Sequence, residues 1–95
     1  MRNGTTSTGF QWTFDETRAD DVRFVELLAR IQAPETAEID RLISTSKVVG
    51  MLLGEEQKAA LYNHIGSRHE GRVPFADLFE ALSEIMQGGG DAVKN

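Results

Sequence analysis

His64 and His69 are the first residues to test for metal chemistry, because the chain has no cysteine. Two helical histidines that bind one zinc ion are usually four residues apart, with a third ligand close by. His64 and His69 are five apart and are separated by a predicted helix end. This spacing predicts no zinc site. We expect His64 to pack beside the helix end and His69 to lie in a solvent-exposed loop.

The loop around Gly71 has the outline of a calcium-binding helix-loop-helix motif, with Asp77 in the place of the closing carboxylate. The ligand positions before the glycine are then Gly66, Arg68 and Glu70. Calcium requires oxygen ligands at these positions, and only Glu70 has a side-chain carboxylate. The pattern therefore predicts a helix-loop-helix without calcium.

Catalytic signatures are absent from the sequence. It contains no nucleophile elbow, no phosphate-binding glycine loop and no triad-like set of residues. The paired acids Asp20-Asp21 and Glu55-Glu56 stand at predicted helix starts, where capping and the helix dipole account for them. Gly88 to Gly90 follow a helix C-terminus, the wrong end to hold phosphate. We predict no catalytic, cofactor-binding or metal-binding residue, and no enzymatic activity.

Composition narrows the class of partner. Ninety-five residues are enough for one domain. The net charge of −5 argues against a nucleic-acid-binding face. No stretch approaches the ~20 apolar residues of a membrane span, and the N-terminus lacks the apolar segment of a signal peptide. We therefore expect a cytoplasmic protein without a nucleic-acid or membrane partner.

One small basic patch stands out in this acidic chain. It consists of Arg68, His69 and Arg72. It is either a solvated loop or a contact for an acidic segment of a partner, since arginine pairs well with carboxylates.

The stretch Asp20–Gln32 has the strongest helical pattern. Its apolar residues cover about 220° of a helical wheel, roughly twice the stripe that a surface helix needs. They are Val22, Phe24, Val25, Leu27, Leu28, Ala29 and Ile31. We expect Asp20 and Asp21 to cap this helix, and Glu26 to pair with Arg30. The wide arc predicts a central helix that is covered from more than one side.

The N-terminal region divides into two parts. Residues 1–9 are polar and without periodicity, and are predicted to be a disordered leader. Phe10, Trp12 and Phe14 then alternate with polar residues, which predicts a half-buried strand. A single strand cannot satisfy its own backbone. The segment either packs as an extended arm with its aromatic side chains in grooves between the helices, or pairs with a strand of another subunit in a homo-oligomer.

The remainder of the chain is predicted to be helical. Pro34 is predicted at the first position of a helix. The three hydroxylic residues Ser44–Ser46 favour a break in this helix. One continuous helix through position 53 is the alternative. Gly54 ends this segment, and the next helix is expected over residues 55–65.

After a loop, Val73-Pro74 starts a last helix with a single apolar stripe. The stripe consists of Phe75, Leu78, Phe79, Leu82, Ile85 and Met86. Residues 88–95 are expected to be a flexible tail. The predicted architecture is mainly α: one domain over residues 10–87, with four to five helices in a small bundle and a short N-terminal strand or extended arm.

Three segments give the chain a resemblance to a known family. They comprise Phe24–Leu28, Leu52–Gln57 and Gly71–Pro74. In their order along residues 10–95, they resemble the small tail assembly chaperones of long-tailed phages and prophages. The region 34–46 departs from the compact linker that this family pattern implies.

The resemblance implies a function. Such chaperones bind the long tape measure protein, keep its apolar helices from aggregating and help to recruit tail tube subunits, and they are absent from the finished virion. Many are also made in a longer frameshifted form, for which residues 88–95 would be the attachment point. The alternative is a small homo-oligomeric regulatory or adaptor protein that binds one folded protein partner.

Binding to an amphipathic helix would require an apolar surface. Candidate partner-binding residues are the three aromatic residues of the strand and four residues of the last helix. They are Phe10, Trp12, Phe14, Leu78, Leu82, Ile85 and Met86. Met51 and Met86 are suited to line an adaptable groove.

Overall fold

A computed structural model describes residues 1–87, and the expected tail over residues 88–95 lies outside this range. The chain is mainly α, as predicted, with three helices and a two-stranded N-terminal hairpin. The elements are β1 (Arg2–Thr5), β2 (Gln11–Phe14), a 3-10 turn (Glu16–Ala19), α1 (Val22–Gln32), α2 (Glu38–Gly66) and α3 (Phe75–Met86). The prediction of four to five helices is wrong, because α2 begins at Glu38, runs without a break through positions 44–46 and joins the helix expected over residues 55–65 across a kink at Gly54.

The N-terminal hairpin corrects the prediction of a disordered leader over residues 1–9. β1 pairs with β2 in antiparallel register, from Arg2 opposite Phe14 to Thr5 opposite Gln11. β2 therefore has a strand partner within its own chain. Because β1 is polar and lacks apolar alternation, its sequence carries no strand pattern of its own.

The aromatic alternation of β2 is confirmed. Phe10, Trp12 and Phe14 are all buried, and the rings of Trp12 and Phe14 stack with centroids 5.3 Å apart. The loop between the strands is tied to the helices: Glu84 accepts hydrogen bonds from the Ser7 backbone at 2.6 Å and the Ser7 hydroxyl at 2.7 Å. These contacts hold the hairpin against the helical layer.

Asp21 caps α1, as predicted. Its carboxylate accepts a hydrogen bond from the Arg23 backbone N–H at 2.8 Å, and the Arg23 guanidinium lies 2.8 Å from its other oxygen. The guanidinium hydrogen bond, followed by the backbone one, lowers the pKa of Asp21 below its ordinary value. Among residues 1–87 no ion pair joins Glu26 to Arg30, so that expectation is wrong.

α1 is not the covered centre of the fold. Only Phe24 and Ile31 are buried in it, whereas Val22 is 72% exposed and Val25 is 56% exposed. The other described elements cover α1 along one side. The prediction that this helix is enclosed from more than one side is therefore wrong for the single chain.

The centre of the fold is α2, which contributes the largest set of buried side chains. Its buried residues are Ser44, Thr45, Val48, Val49, Leu52, Leu53, Leu61, Ile65 and Gly66. The predicted break at positions 44–46 does not occur. The Thr45 hydroxyl donates to the Arg41 carbonyl at 2.8 Å, and Ser46 bonds to the Tyr62 hydroxyl at 2.9 Å. Since these hydroxyls find partners without opening the backbone, the helix continues through them.

The real interruption in α2 is at Gly54, whose φ of 84° and ψ of 162° are not helical. Two backbone carbonyls before this kink accept hydrogen bonds from side chains. Gln57 Nε2 donates to the Leu53 carbonyl at 2.8 Å, and Arg18 donates to the Met51 carbonyl at 3.3 Å. Gln57 also joins the outer edge of β2, accepting from Thr13 N–H at 2.9 Å and donating to Thr13 C=O at 2.6 Å. One side chain thus links the kink to the hairpin.

Replacing Gln57 with alanine is expected to lower the free energy of unfolding by about 2 kcal/mol, because three hydrogen bonds of roughly 0.5–1.5 kcal/mol each are lost near the surface. Urea unfolding followed by Trp12 fluorescence measures the change. In the matched Gln57→Glu variant, a carboxylate would face the Thr13 and Leu53 carbonyls. The free energy of unfolding of this variant should approach that of the wild type below about pH 4, where a protonated glutamate can donate a hydrogen bond. A Gln57→Ala variant as stable as the wild type would contradict this role.

α3 starts after Pro74, which is its N-cap, and packs through Leu78, Leu82 and Ile85 as the sequence predicts. The preceding loop turns through Gly71, whose φ is 93°. His69 does not lie free in this loop as predicted, because it is partly buried and its Nε2 lies 2.7 Å from an Asp77 carboxylate oxygen. The pair fastens the loop to the first turn of α3.

Candidate partner-binding surface

The seven predicted partner-binding residues divide by exposure. Six of them are buried in one hydrophobic cluster: Phe10, Trp12, Phe14, Leu78, Leu82 and Ile85. In this conformation they form the core, and a partner could contact them only if the chain opened. Met86 alone is exposed, at 37%, and it lines a cavity of about 160 Å³ together with Phe24 and Leu52.

A different set of apolar side chains faces solvent. Val22 and Val25 are exposed on α1, and Ile39 and Ile43 are 61% and 47% exposed on α2. Each pair has i, i+3 or i, i+4 spacing, which places its two members side by side on one helix face. Each pair therefore forms a small apolar area that the described residues leave uncovered, and contiguous apolar surface is where proteins contact other polypeptides.

The sequence contained a signal for part of this set. An apolar arc of about 220° on α1 is wider than one packing contact can cover. The excess predicts additional cover within the chain, but Val22 and Val25 are exposed. The sequence pattern does not distinguish Ile39 and Ile43 from core residues, because their apolar stripe continues into the buried residues of α2.

α1 and α2 also form a groove between them, with a volume of about 580 Å³. Its apolar floor is made by Leu27 and Met51, which pack partly buried against the core. The charged residues around it are Arg23, Glu26, Arg30, Lys47, Glu55 and Lys58. The prediction that Met51 lines a groove therefore agrees with its position.

The histidines do not come together. His64 Nε2 bonds to the Thr8 hydroxyl at 3.0 Å, and its ring packs against Phe10 with centroids 5.7 Å apart, as expected for a residue beside the helix end. His69 pairs with Asp77. Among residues 1–87, no three His, Cys, Asp or Glu side chains are grouped closely enough to hold a metal ion. Arg68 and Arg72 of the basic patch are exposed.

Within the part of the chain that the structure describes, none of the helices combines the length and apolar character that crossing a membrane demands. The described surface carries the exposed aliphatic pairs, Phe79 and Met86 on α3, and the groove between α1 and α2. No family model matches the chain, and neither a curated protein nor a solved structure is significantly similar to it.

Proposed function

We propose that this protein is a tail assembly chaperone of the kind made by long-tailed phages and prophages. It acts in the cytoplasm without catalysing a reaction. It binds apolar helical segments of the tape measure protein, keeps them soluble and helps to recruit tail tube subunits around them. The protein takes part in tail assembly and is absent from the finished virion.

The observation that carries this proposal is the two exposed aliphatic pairs, Val22 with Val25 on α1 and Ile39 with Ile43 on α2, which together are called the aliphatic surface. Val25 is 56% exposed and Ile39 is 61% exposed. Leaving such side chains in water is unfavourable by about 25 cal/mol per Å² of apolar area that a partner would cover. A partner with an amphipathic helix can cover them by placing its apolar face on this surface. This requirement agrees with the sequence resemblance given by Phe24–Leu28, Leu52–Gln57 and Gly71–Pro74.

Co-expression tests the proposal. A tape measure segment from the same phage or prophage, insoluble when expressed alone, is expected to become soluble with this chain and to co-purify with it. The double variant Ile39→Ser, Ile43→Ser should fold but lose at least half of the rescue, because the aliphatic contact is removed. Ala59→Ser, Ala60→Ser is the matched control, since both alanines are exposed on the same helix.

Two outcomes would overturn the proposal. One is a folded wild-type chain that leaves every tape measure segment insoluble. The other is equal rescue by the serine variants at positions 39 and 43 and by the control. Mass measured by light scattering, with and without the segment, shows whether a homo-oligomer or a complex of the two chains covers the aliphatic surface.

A further inference from the structure

The groove between α1 and α2 is built from facing positions of the two helices. On α1, Arg23, Leu27 and Arg30 follow at i, i+4 and i+7, which places them on one side of the helix. On α2, Lys47 and Met51 are also one turn apart, with Gly50 beside them. The groove is thus a continuous feature of two packed helices.

The kink in α2 brings further charge to the groove. Gly54 redirects the helix, and Glu55 and Lys58 after it still line the same groove as Gly50. A Cβ atom on Gly50 would lie 2.9 Å from a Glu55 carboxylate oxygen and 3.4 Å from Lys58 Cδ. Glycine at position 50 therefore leaves room for these two side chains to lie across the helix surface. Lys58 Nζ is placed 5.7 Å from the centre of the Tyr62 ring.

The groove is positively charged in a negatively charged protein. Four of its lining residues are cations and two are carboxylates, whereas the whole chain carries −5. Arg23 is engaged by Asp21 at 2.8 Å. Arg30, Lys47 and Lys58 form no ion pair with any residue among 1–87. Arg30 and Lys47 are thus free to meet the carboxylates of a partner, and Lys58, which lies over the Tyr62 ring, adds a third positive charge beside the apolar floor.

A peptide suits this groove better than a nucleic acid. Carboxylates repel a phosphate backbone, which carries a negative charge on every nucleotide, and here Glu26 and Glu55 stand among the cations. Because a nucleic acid carries a charge on every nucleotide, the net charge of the chain repels it more strongly at long range than it repels a helix with a few carboxylates. An amphipathic helix offers an aliphatic ridge for Leu27 and Met51, and acidic side chains that can meet the neighbouring cations.

We propose that the α1–α2 groove is a second docking site, besides the exposed aliphatic pairs, and that it binds an acidic amphipathic helix of the partner, with aliphatic residues against Leu27 and Met51 and carboxylates against Arg30, Lys47 and Lys58. The inference rests on the proposed function, since it specifies which partner segments the chaperone selects. Tape measure segments rich in glutamate and leucine at helical spacing are bound, and segments with a basic polar face are not.

A synthetic peptide of roughly 14 residues, long enough for about four helical turns, is the probe. It carries leucine on one face and glutamate on both flanks, and its counterpart carries lysine in place of glutamate. The chain is labelled with ¹³C on the methionine methyl groups, of which there are three. The acidic peptide should shift the Met51 methyl signal and leave the signals of Met1 and Met86 in place. The lysine peptide should shift none.

Charge reversal tests the cations. Arg30→Glu, Lys47→Glu should weaken binding of the acidic peptide about tenfold or more, because two favourable contacts become repulsive. Affinity of the wild type should also fall as salt is added. The matched control is Arg68→Glu, Arg72→Glu, which changes the net charge equally at two exposed arginines outside the groove. This control should bind as well as the wild type, and Trp12 fluorescence verifies that both variants are folded.

Four results would overturn the inference: no binding of the acidic peptide, a shift at Met86 instead of Met51, equal loss in the control variant, or tighter binding of a single-stranded oligonucleotide than of the peptide. The co-expression test separates this inference from the proposed function. If the wild type rescues a tape measure segment and Arg30→Glu, Lys47→Glu rescues it equally, the groove is not a docking site and the chaperone function stands. If the wild type rescues no segment but binds the acidic peptide at Met51, the docking site stands and the chaperone function fails.

Discussion

Replacing Leu52 with alanine is expected to lower the free energy of unfolding by about 3 kcal/mol. The Leu52 side chain is 1% exposed and belongs to the core that joins α2 to the other elements. Truncation of a buried leucine removes its transfer free energy and leaves a cavity, which together cost about 2–5 kcal/mol. A domain of this size has roughly 5–14 kcal/mol of total stability. The variant should therefore fold, but with its urea midpoint much reduced.

Trp12 provides the measurement, because it is the single tryptophan of the chain and is 3% exposed. Its emission should shift to longer wavelength when urea unfolds the hairpin, and far-UV circular dichroism reports the helices in parallel. Ile43→Ala on the same helix is the matched control, since Ile43 is 47% exposed. Ile43→Ala should lower the free energy of unfolding by less than about 1 kcal/mol. Equal costs for the two variants would contradict the assignment of α2 as the centre of the core.

The same measurement distinguishes the two readings of α1. If α1 were enclosed, as its wide apolar arc suggests, Val25→Ala would remove a buried side chain and be costly. With Val25 exposed, the substitution should change the free energy of unfolding by about 0.5 kcal/mol or less. A larger loss in the isolated chain would show that α1 is covered in solution.

The parts of the fold that sequence predicted correctly depend on local signals. The aromatic alternation marks the buried face of β2, and Leu78, Leu82 and Ile85 of the predicted stripe mark that of α3, although Phe79 and Met86 of the same stripe are exposed. Asp21 caps α1 through a hydrogen bond to Arg23. Such features need only the residues within a few positions of each other. Gly54 and Gly66 were expected at helix ends, and they stand at the kink and at the last residue of α2.

The failures have a common physical origin in contacts between distant residues. The hydroxyl of Ser46 is satisfied by Tyr62 sixteen positions away, so the expected break is unnecessary. β1 becomes a strand because β2 pairs with it, not because of its own composition. The apolar residues of a helical wheel do not reveal which of them another element will cover. For this reason six of the seven predicted partner-binding residues are core residues, and the helical wheel does not single out the exposed aliphatic pairs.

The second large effect is expected at Gly54. Its φ of 84° with ψ of 162° falls in a region that only glycine adopts readily, and another residue there costs about 1–3 kcal/mol. Space is not the obstacle, because the nearest atom to an added Cβ is Arg18 Nη1 at 3.7 Å. Gly54→Ala should therefore lower the free energy of unfolding by about 2 kcal/mol through backbone strain. The chain can avoid the strain by continuing the helix, but the bonds of Gln57 to Thr13 would then be lost.

Two variants separate backbone strain from side-chain contacts at the kink. D-alanine at position 54, introduced by chemical synthesis, accepts a positive φ and should restore most of the stability that L-alanine removes, since both add the same methyl group. Gly50→Ala is the control within the helical part of α2. This variant should gain up to about 1 kcal/mol in free energy of unfolding, because alanine has a higher helix propensity than glycine. The gain is reduced because the added methyl group displaces the end of the Glu55 side chain. If D- and L-alanine at position 54 were equally destabilising, the loss would come from contacts and not from the backbone. If neither changed the urea midpoint, the kink would not be required for the fold, and the link from α2 through Gln57 to the hairpin would lose its structural basis.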